Sequence, residues 1–216
     1  MSGYRLHHCP ESGNSYKVAL MLALCGQEWE PVWTDFFGGE TRTPEWRAAL
    51  NEMGEIPVLE DAAGRRLTQT GAVLSMLAER HGRFGPEGEG ERWEVLRWLL
   101  WDNHKLTSYL ATYRFLRAFA ADDPDPAVLA FLRGRVDACL GIAEQRFERH
   151  AFALGDRPTI ADLSMCGYLS YPAEETGYDL PASHPATAAW LGRIAALPGW
   201  RAPYDLLPGK RVARAR

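Results

Sequence analysis

The sequence lacks any run of 18 apolar residues, about the least that a membrane-crossing helix needs. Its start lacks the charged residues plus apolar core of a secretory signal, so neither a membrane span nor a secretory leader is expected. Charge of one sign is also missing. With 24 basic and 28 acidic residues the net charge is -4, which gives no electrostatic footprint for nucleic acid or an anionic membrane. Cysteine is scarce: Cys9, Cys25, Cys139 and Cys166 stand far apart, with no CxxC pair. That spacing excludes a disulfide framework and a zinc site, leaves no metal expected, and fits free thiols in a reducing cytoplasm. No repeat and no low-complexity tract is present. The one basic run, Lys210 to Arg216, reads as a solvated terminus.

What is present is an ordinary globular composition, 46% hydrophobic and 24% charged over 216 residues, enough to bury one large core or two small ones. Patterning changes along the chain. Residues 4–8 (YRLHH) and 30–34 (EPVWT) read as strands. Between them lies SGNSYKVALMLALCG, residues 12–26, an apolar stripe at helical spacing opened by Ser12 and closed by Gly26. A short helix is expected near Thr43 to Leu50, with Pro44 in its first turn. GEIPVLED (54–61), Ala62-Ala63-Gly64 and RRLTQT form a hairpin, and a helix follows from Thr70 to about Glu79. This β-α-β-α-β-β-α order makes an α/β unit with a parallel pair and an antiparallel hairpin.

After a Gly-, Pro- and charge-rich stretch, everything reads as helix. One long helix is expected over 91–120, with Leu96, Leu99, Leu106, Leu110 and Tyr113 on one face. Others cover about 127–149, open at Thr159, and cover 185–196. The expected organisation is an α/β domain over 1–82, a linker over 83–90 and an all-α domain over 91–216.

Three features carry chemistry. Ile56-Pro57 enters a strand, where proline lacks a ladder donor, and a cis bond would turn the Ile56 backbone outward to pair with an extended peptide. Gln69-Thr70 starts a helix, where a hydroxyl, free N–H groups and the dipole suit a carboxylate. Ser12, Asn14 and Ser15 begin another helix, whose first turn favours a bound thiolate. Singly, each is also what an edge proline or a simple helix cap produces.

In this order the three motifs resemble the soluble glutathione transferases. RPTIADLSM (157–165) adds the buried capping box of that family, with Thr159 and Asp162 reaching for each other's backbone. The resemblance covers nearly the whole chain. It implies a thioredoxin-like N-terminal domain, an all-helical second domain, glutathione as co-substrate, a small hydrophobic electrophile and a homodimer. It further implies a cis Pro57, Ile56 paired with the cysteinyl part of glutathione, and Gln69 and Thr70 on the γ-glutamyl carboxylate. Arg42 lies where the family approaches the glycyl end, while Glu55, a carboxylate, would repel it. Asn103, with Asp102, is a candidate for the γ-glutamyl amine across a dimer, though either residue also reads as helix surface or core cap. Trp101, Tyr109, Tyr113 and Phe115 are candidates for the electrophile pocket or equally for core, and that pocket is expected between the domains.

The thiol-activating residue differs among family classes. In relatives that use cysteine, it stands about fourteen residues before the closing glycine, which from Gly26 lands on Ser12. Five residues before Lys17 is also Ser12, so Cys9 falls at the end of the first strand. Ser12 thus matches the serine of theta- and zeta-like enzymes, and Asn14 resembles the asparagine of nu-like ones. Tyr4 lies too early for a tyrosine-type site, and the SSCS turn of zeta-like isomerases is absent. The expected activity is conjugation of the glutathione thiolate to electrophiles in the cytoplasm, a detoxification chemistry. The alternatives are a glutathione-dependent disulfide reductase or peroxidase using Asn14, and a non-catalytic interaction module of the same fold.

Overall fold

Strand β1 (Tyr4–His8) pairs on both sides, parallel to β2 (Trp29–Trp33) and antiparallel to β3 (Val58–Glu60). The short β4 (Arg66–Leu67) pairs antiparallel with β3, so the sheet order is β2-β1-β3-β4. The computed structural model describes residues 3–213, so the end of the basic run 210–216 lies outside the described residues. Pro31 pairs with Leu6 on β2, an edge strand, where its missing N–H can face the open side.

A parallel pair needs a crossover, and α1 (Gly13–Leu24) supplies it between β1 and β2. Val18, Ala19, Leu20, Met21 and Leu22 of α1 are fully buried. A 3₁₀ turn (Glu40–Arg42) leads to α2 (Pro44–Ala49), which begins with Thr43 accepting from Trp46 N–H and with proline in the first turn. Helix α3 (Thr70–His81) follows the hairpin. The α/β order expected from the sequence is the observed one, with β4 reduced to two paired residues.

The helical part begins with α4 (Glu89–Trp101), and here the structure corrects the single helix expected over 91–120. A π turn over Asp102–Leu106 separates α4 from α5 (Thr107–Ala118). The wider turn shifts the register of the apolar face. Leu99, Leu106, Leu110 and Tyr113 are buried, whereas Leu96 is 42% exposed. Helix α6 (Pro126–Phe147) is capped by Asp125, and α7 (Ile160–Leu169) by Thr159. Short α8 (Ala173–Thr176) and α9 (Leu180–Ser183) precede α10 (Pro185–Ala195).

The Thr159–Asp162 capping box is present. Asp162 Oδ2 accepts from Thr159 N–H at 2.9 Å, and Oδ1 accepts from Ala153 N–H at 2.7 Å and Trp190 Nε1–H at 3.0 Å. Trp190 is fully buried and stacks on Phe147 with ring centroids 4.3 Å apart.

The chain divides at Arg83 and Phe84 into two compact units. The segment Pro198–Val212, with α11 (Pro203–Leu206), returns to the first unit rather than extending the helical one, unlike the expected 91–216 boundary. It is tied there by backbone carbonyls of its own: Tyr16 Oη donates to Arg201 O at 2.9 Å and Trp33 Nε1 to Lys210 O at 3.1 Å. Among the described residues, no helix is long and apolar enough to cross a membrane.

Candidate active site

The strand register collects the candidate residues of the first unit at one end of the sheet. His7 pairs with Val58, so continuing that ladder sets Cys9 opposite Ile56. Leu59 pairs with Leu67, and the same continuation sets Pro57 opposite Gln69. The end of β1, the start of β3 and the end of β4 therefore share an edge, and the turn before α1 leaves from it. Cys9, Ile56, Val58 and Trp46 form one buried apolar cluster there.

The first turn is built by local hydrogen bonds. Ser12 N–H donates to Cys9 O at 3.1 Å, closing a four-residue turn with Pro10 in its second position, where its fixed φ fits. Ser12 then caps α1: its Oγ accepts from Ser15 N–H at 3.1 Å, and its carbonyl accepts from Tyr16 N–H at 2.9 Å. The hydroxyl proton is not used in that cap. Ser12 is half-buried, whereas Ser15 is fully buried and its Oγ has no hydrogen-bond partner. Asn14 is half-buried, with a buried Oδ1 that also has none. No acidic residue stands in this first turn, and the buried Glu11 carboxylate lies one residue before the cap, its Oε1 accepting from Val212 N–H at 2.7 Å.

Cys9 is 3% exposed within its apolar cluster, as the register count expects, and not on the helix turn. Burial pushes the thiols of Cys25 and Cys139 up. The adjacent histidines do not supply a base either. Desolvation pushes His8 down to about 4 and lowers His7.

Ile56–Pro57 is a cis peptide bond, as the resemblance implies. Neither the N–H nor the C=O of Ile56 pairs with the chain among the described residues. Next to it, Asn51 braces the approach loop from inside: Nδ2 donates to Glu55 O at 2.9 Å, and Oδ1 accepts from Met53 N–H at 3.1 Å. Sequence reasoning passed over Asn51; its position before a glycine turn, in the run N-E-M-G, was the available signal.

Gln69, not Thr70, is the capping residue of α3, and it has φ 63°, a left-handed backbone without glycine. No side chain caps this helix start and no acidic residue lies in its first turn. Its amides and dipole are left for an external anion. Thr70, 8% exposed, is the first helical residue. The Gln69 amide is partly committed, since Nε2 donates to Glu55 Oε2 at 3.1 Å. Arg42 is exposed at the end of the 3₁₀ turn; its N–H donates to Gly39 O at 2.9 Å, and its guanidinium has no hydrogen-bond or ion-pair partner among the described residues.

In the second unit the candidates separate. Asp102 is fully buried, with Oδ1 accepting from Thr107 Oγ1 at 2.9 Å and Oδ2 from Ser164 Oγ at 2.5 Å. It is a core cap, while Asn103 is exposed and accepts through its carbonyl from Ser108 Oγ. Tyr113 is 5% exposed and packs edge-on against Tyr178, so it belongs to the core rather than a pocket wall. Trp101 and Tyr109 keep partly exposed rings, and Phe115 is exposed.

Comparison with known proteins bears on the family and the fold. The family model for the glutathione S-transferase N-terminal domain matches residues 11–80, and the model for the C-terminal domain matches residues 106–198. The chain is 31% identical over 179 residues to a maleylacetoacetate isomerase of Rhizobium meliloti (strain 1021), covering 79% of this chain and 82% of that protein. It is 26% identical over 203 residues to glutathione S-transferase F14 of Arabidopsis thaliana, covering 89% and 80%. The crystal structure of a glutathione S-transferase from Xanthobacter autotrophicus Py2 superposes with a TM-score of 0.85 at 33% identity, covering 94% of this chain and 98% of that one. With a mixed α/β sheet unit followed by a helical unit, and with both domain models matched in that order, the chain belongs to the glutathione S-transferase family.

Proposed function

We propose that the protein transfers the thiolate of glutathione to small hydrophobic electrophiles, with Ser12 as the group that holds the sulfur. One observation carries this reading: the Ser12 hydroxyl caps α1 as an acceptor, so its proton is left to donate at the positive end of that helix. A free thiol has a pKa near 8.5, so it is mostly protonated at neutral pH. Lowering it by ~2 units requires ~2.7 kcal/mol, within reach of one charge-assisted hydrogen bond and a helix terminus. Ser12 donates and never ionises, so no histidine base is needed, consistent with two neighbouring histidines that burial keeps neutral.

The rest of glutathione is read onto the same sheet edge. The unpaired backbone of Ile56, beside cis Pro57, suits the cysteinyl amide groups. The uncapped start of α3, with Thr70 and Gln69, suits the γ-glutamyl carboxylate, and the unpartnered Arg42 guanidinium suits the glycyl carboxylate. Half-buried Trp101 and Tyr109 suit an apolar electrophile. Asn103 stays a weaker candidate for the γ-glutamyl amine. The reading includes a cytoplasmic homodimer, supported by Trp93, Leu96 and Leu100, which leave an exposed apolar stripe on α4.

Ser12→Ala tests the reading. It is expected to lower turnover with 1-chloro-2,4-dinitrobenzene by roughly 10²-fold, to raise the pKa of enzyme-bound glutathione seen by thiolate absorbance, and to leave glutathione affinity unchanged. Unchanged turnover overturns it. Asn14 favours a second reading, because its buried Oδ1 has no hydrogen-bond partner among the described residues. In that reading the protein is a glutathione-dependent disulfide reductase or peroxidase: two glutathione thiols supply the electrons and leave as glutathione disulfide, and Asn14 holds the reacting sulfur. Asn14→Ala would then abolish disulfide reduction while Ser12→Ala would not. Failure to retain glutathione at all would favour a non-catalytic interaction module.

A further inference from the structure

The returning arm Pro198–Val212 follows α1 from its last turn to the residues before its first. At the far end Gly199 takes φ 94°, and a Cβ there would lie 2.8 Å from Ala23 O. Tyr16 Oη donates to Arg201 O at 2.9 Å, and Leu206 and Leu207 are buried. At the near end Trp33, the last residue of β2, donates Nε1 to Lys210 O at 3.1 Å. Gly209 takes φ 131°, and a Cβ there would overlap the Trp33 ring, so glycine is what lets the arm lie on this indole. Val212 N–H then donates to Glu11 Oε1 at 2.7 Å, a bond between residues 201 apart in the chain.

Glu11 sits at a sensitive place. The turn Cys9–Ser12 is closed by Ser12 N–H on Cys9 O, and its two central residues decide where Ser12 emerges. The ring of Pro10 fixes one of them. Glu11 is the other and has no such lock, yet its side chain is buried and tied to the arm. On the helix side, Ser12 is held by its bonds with Ser15 N–H and Tyr16 N–H. The bond from Val212 therefore restrains the one turn residue that neither proline nor the helix cap fixes. Its donor is a backbone amide, so it reports the path of the arm rather than the side chain at position 212.

We propose, resting on the reading of Ser12 as the donor to the sulfur, that Glu11 is a positioning residue for Ser12 and that the returning arm holds it in place. A hydrogen bond weakens steeply as its donor swings out of line, and a shift of ~1 Å at a reacting group can cost about 10²-fold. Ile56, Gln69 and Thr70, read as holding the rest of glutathione, make no hydrogen bond to the arm among the described residues. Loosening the arm thus acts on turnover and leaves glutathione affinity alone.

Val212→Pro tests this by removing the donor. Hydrogen exchange followed by NMR on the full chain is expected to show the amides of Ser12, Ser15 and Tyr16 exchanging at least about tenfold faster, with the fold retained by circular dichroism. Turnover with 1-chloro-2,4-dinitrobenzene is expected to fall about fivefold at unchanged KM for glutathione, and the pKa of bound glutathione to rise. Glu11→Ala is expected to match it. Combining the two should lose no more than either alone, because both remove one bond. Glu11→Gln keeps an acceptor and should recover most of the turnover lost in Glu11→Ala. Parent-like exchange in Val212→Pro overturns the proposal. So does faster exchange with parent-like turnover, losses that add in the double variant, or Glu11→Gln as slow as Glu11→Ala. Unchanged turnover in Ser12→Ala would instead sink Ser12 as the donor, and the exchange result alone then decides whether the arm holds the turn.

Discussion

Gln69 holds Glu55 across the start of the hairpin, Nε2 to Oε2 at 3.1 Å. The residue that caps α3 thereby restrains the residue before Ile56, so two parts of the candidate site share one side-chain bond. It also keeps a negative charge beside a site read as binding two carboxylates. Glu55→Gln preserves an acceptor for Gln69 and removes that charge. At an exposed position the repulsion is worth a fraction of a kcal/mol, so the KM for glutathione should fall about twofold with kcat unchanged. Steady-state kinetics checks this, and a higher KM would show that Glu55 attracts the ligand instead.

Ser12 has two roles that substitution can separate. As a cap it accepts Ser15 N–H at 3.1 Å, and as a donor it is read as holding the sulfur. Losing a cap to alanine costs about 1 kcal/mol, whereas glycine costs only a few tenths. Ser12→Gly should therefore unfold at nearly the parent's denaturant midpoint, while its activity falls as far as that of Ser12→Ala. If Ser12→Gly keeps the activity, the hydroxyl is a cap alone.

His8 couples stability to acid. It is fully buried, stands edge-on to Trp29 at 6.1 Å, and desolvation depresses its pKa to about 4. An unfolded histidine titrates near 6.5. Below that pH the unfolded chain takes up the proton first, so stability falls as pH drops from about 6.5 to about 4 and levels off beneath. The loss from this residue is at most about 3 kcal/mol. His8→Phe, comparable in size, should flatten that part of the curve in urea titrations at pH 7, 6, 5 and 4. A curve as steep as the parent's would assign the acid sensitivity to other groups.

Much of the site could be read from sequence because its signals are local. The helix opened by Ser12 and the Thr159–Asp162 box are short-range backbone patterns, visible in residue type and spacing. The α/β order followed from periodicity switching between strand and helix. What escaped was decided over distance or by single backbone angles. The π turn begins at Asp102, whose buried carboxylate accepts from Thr107 nearby and from Ser164, sixty-two residues away and outside any local window. The left-handed Gln69 breaks the rule that reserves such angles for glycine. Tyr113 has the same spacing whether it lines a pocket or packs on Tyr178, and only tertiary structure decides. The return of Pro198–Val212 to the first unit rests on contacts such as Tyr16 with Arg201, 185 residues apart in the chain.

The capping box gives the strongest stability prediction. Asp162 is fully buried, and its carboxylate accepts from Thr159 N–H, Thr159 Oγ1–H, Ala153 N–H and Trp190 Nε1–H at 2.9, 3.2, 2.7 and 3.0 Å. Asp162→Ala leaves these donors buried without an acceptor. Each orphaned donor costs about 1–3 kcal/mol, partly relieved by relaxation, so a loss of about 3–5 kcal/mol is expected. Trp190→Phe removes only one donor and keeps an aromatic ring against Phe147, so it should cost less, about 1–2 kcal/mol. Equilibrium urea unfolding of both variants measures the difference. If the two lose equal stability, Trp190 packing rather than the Asp162 acceptor holds α7 to α10.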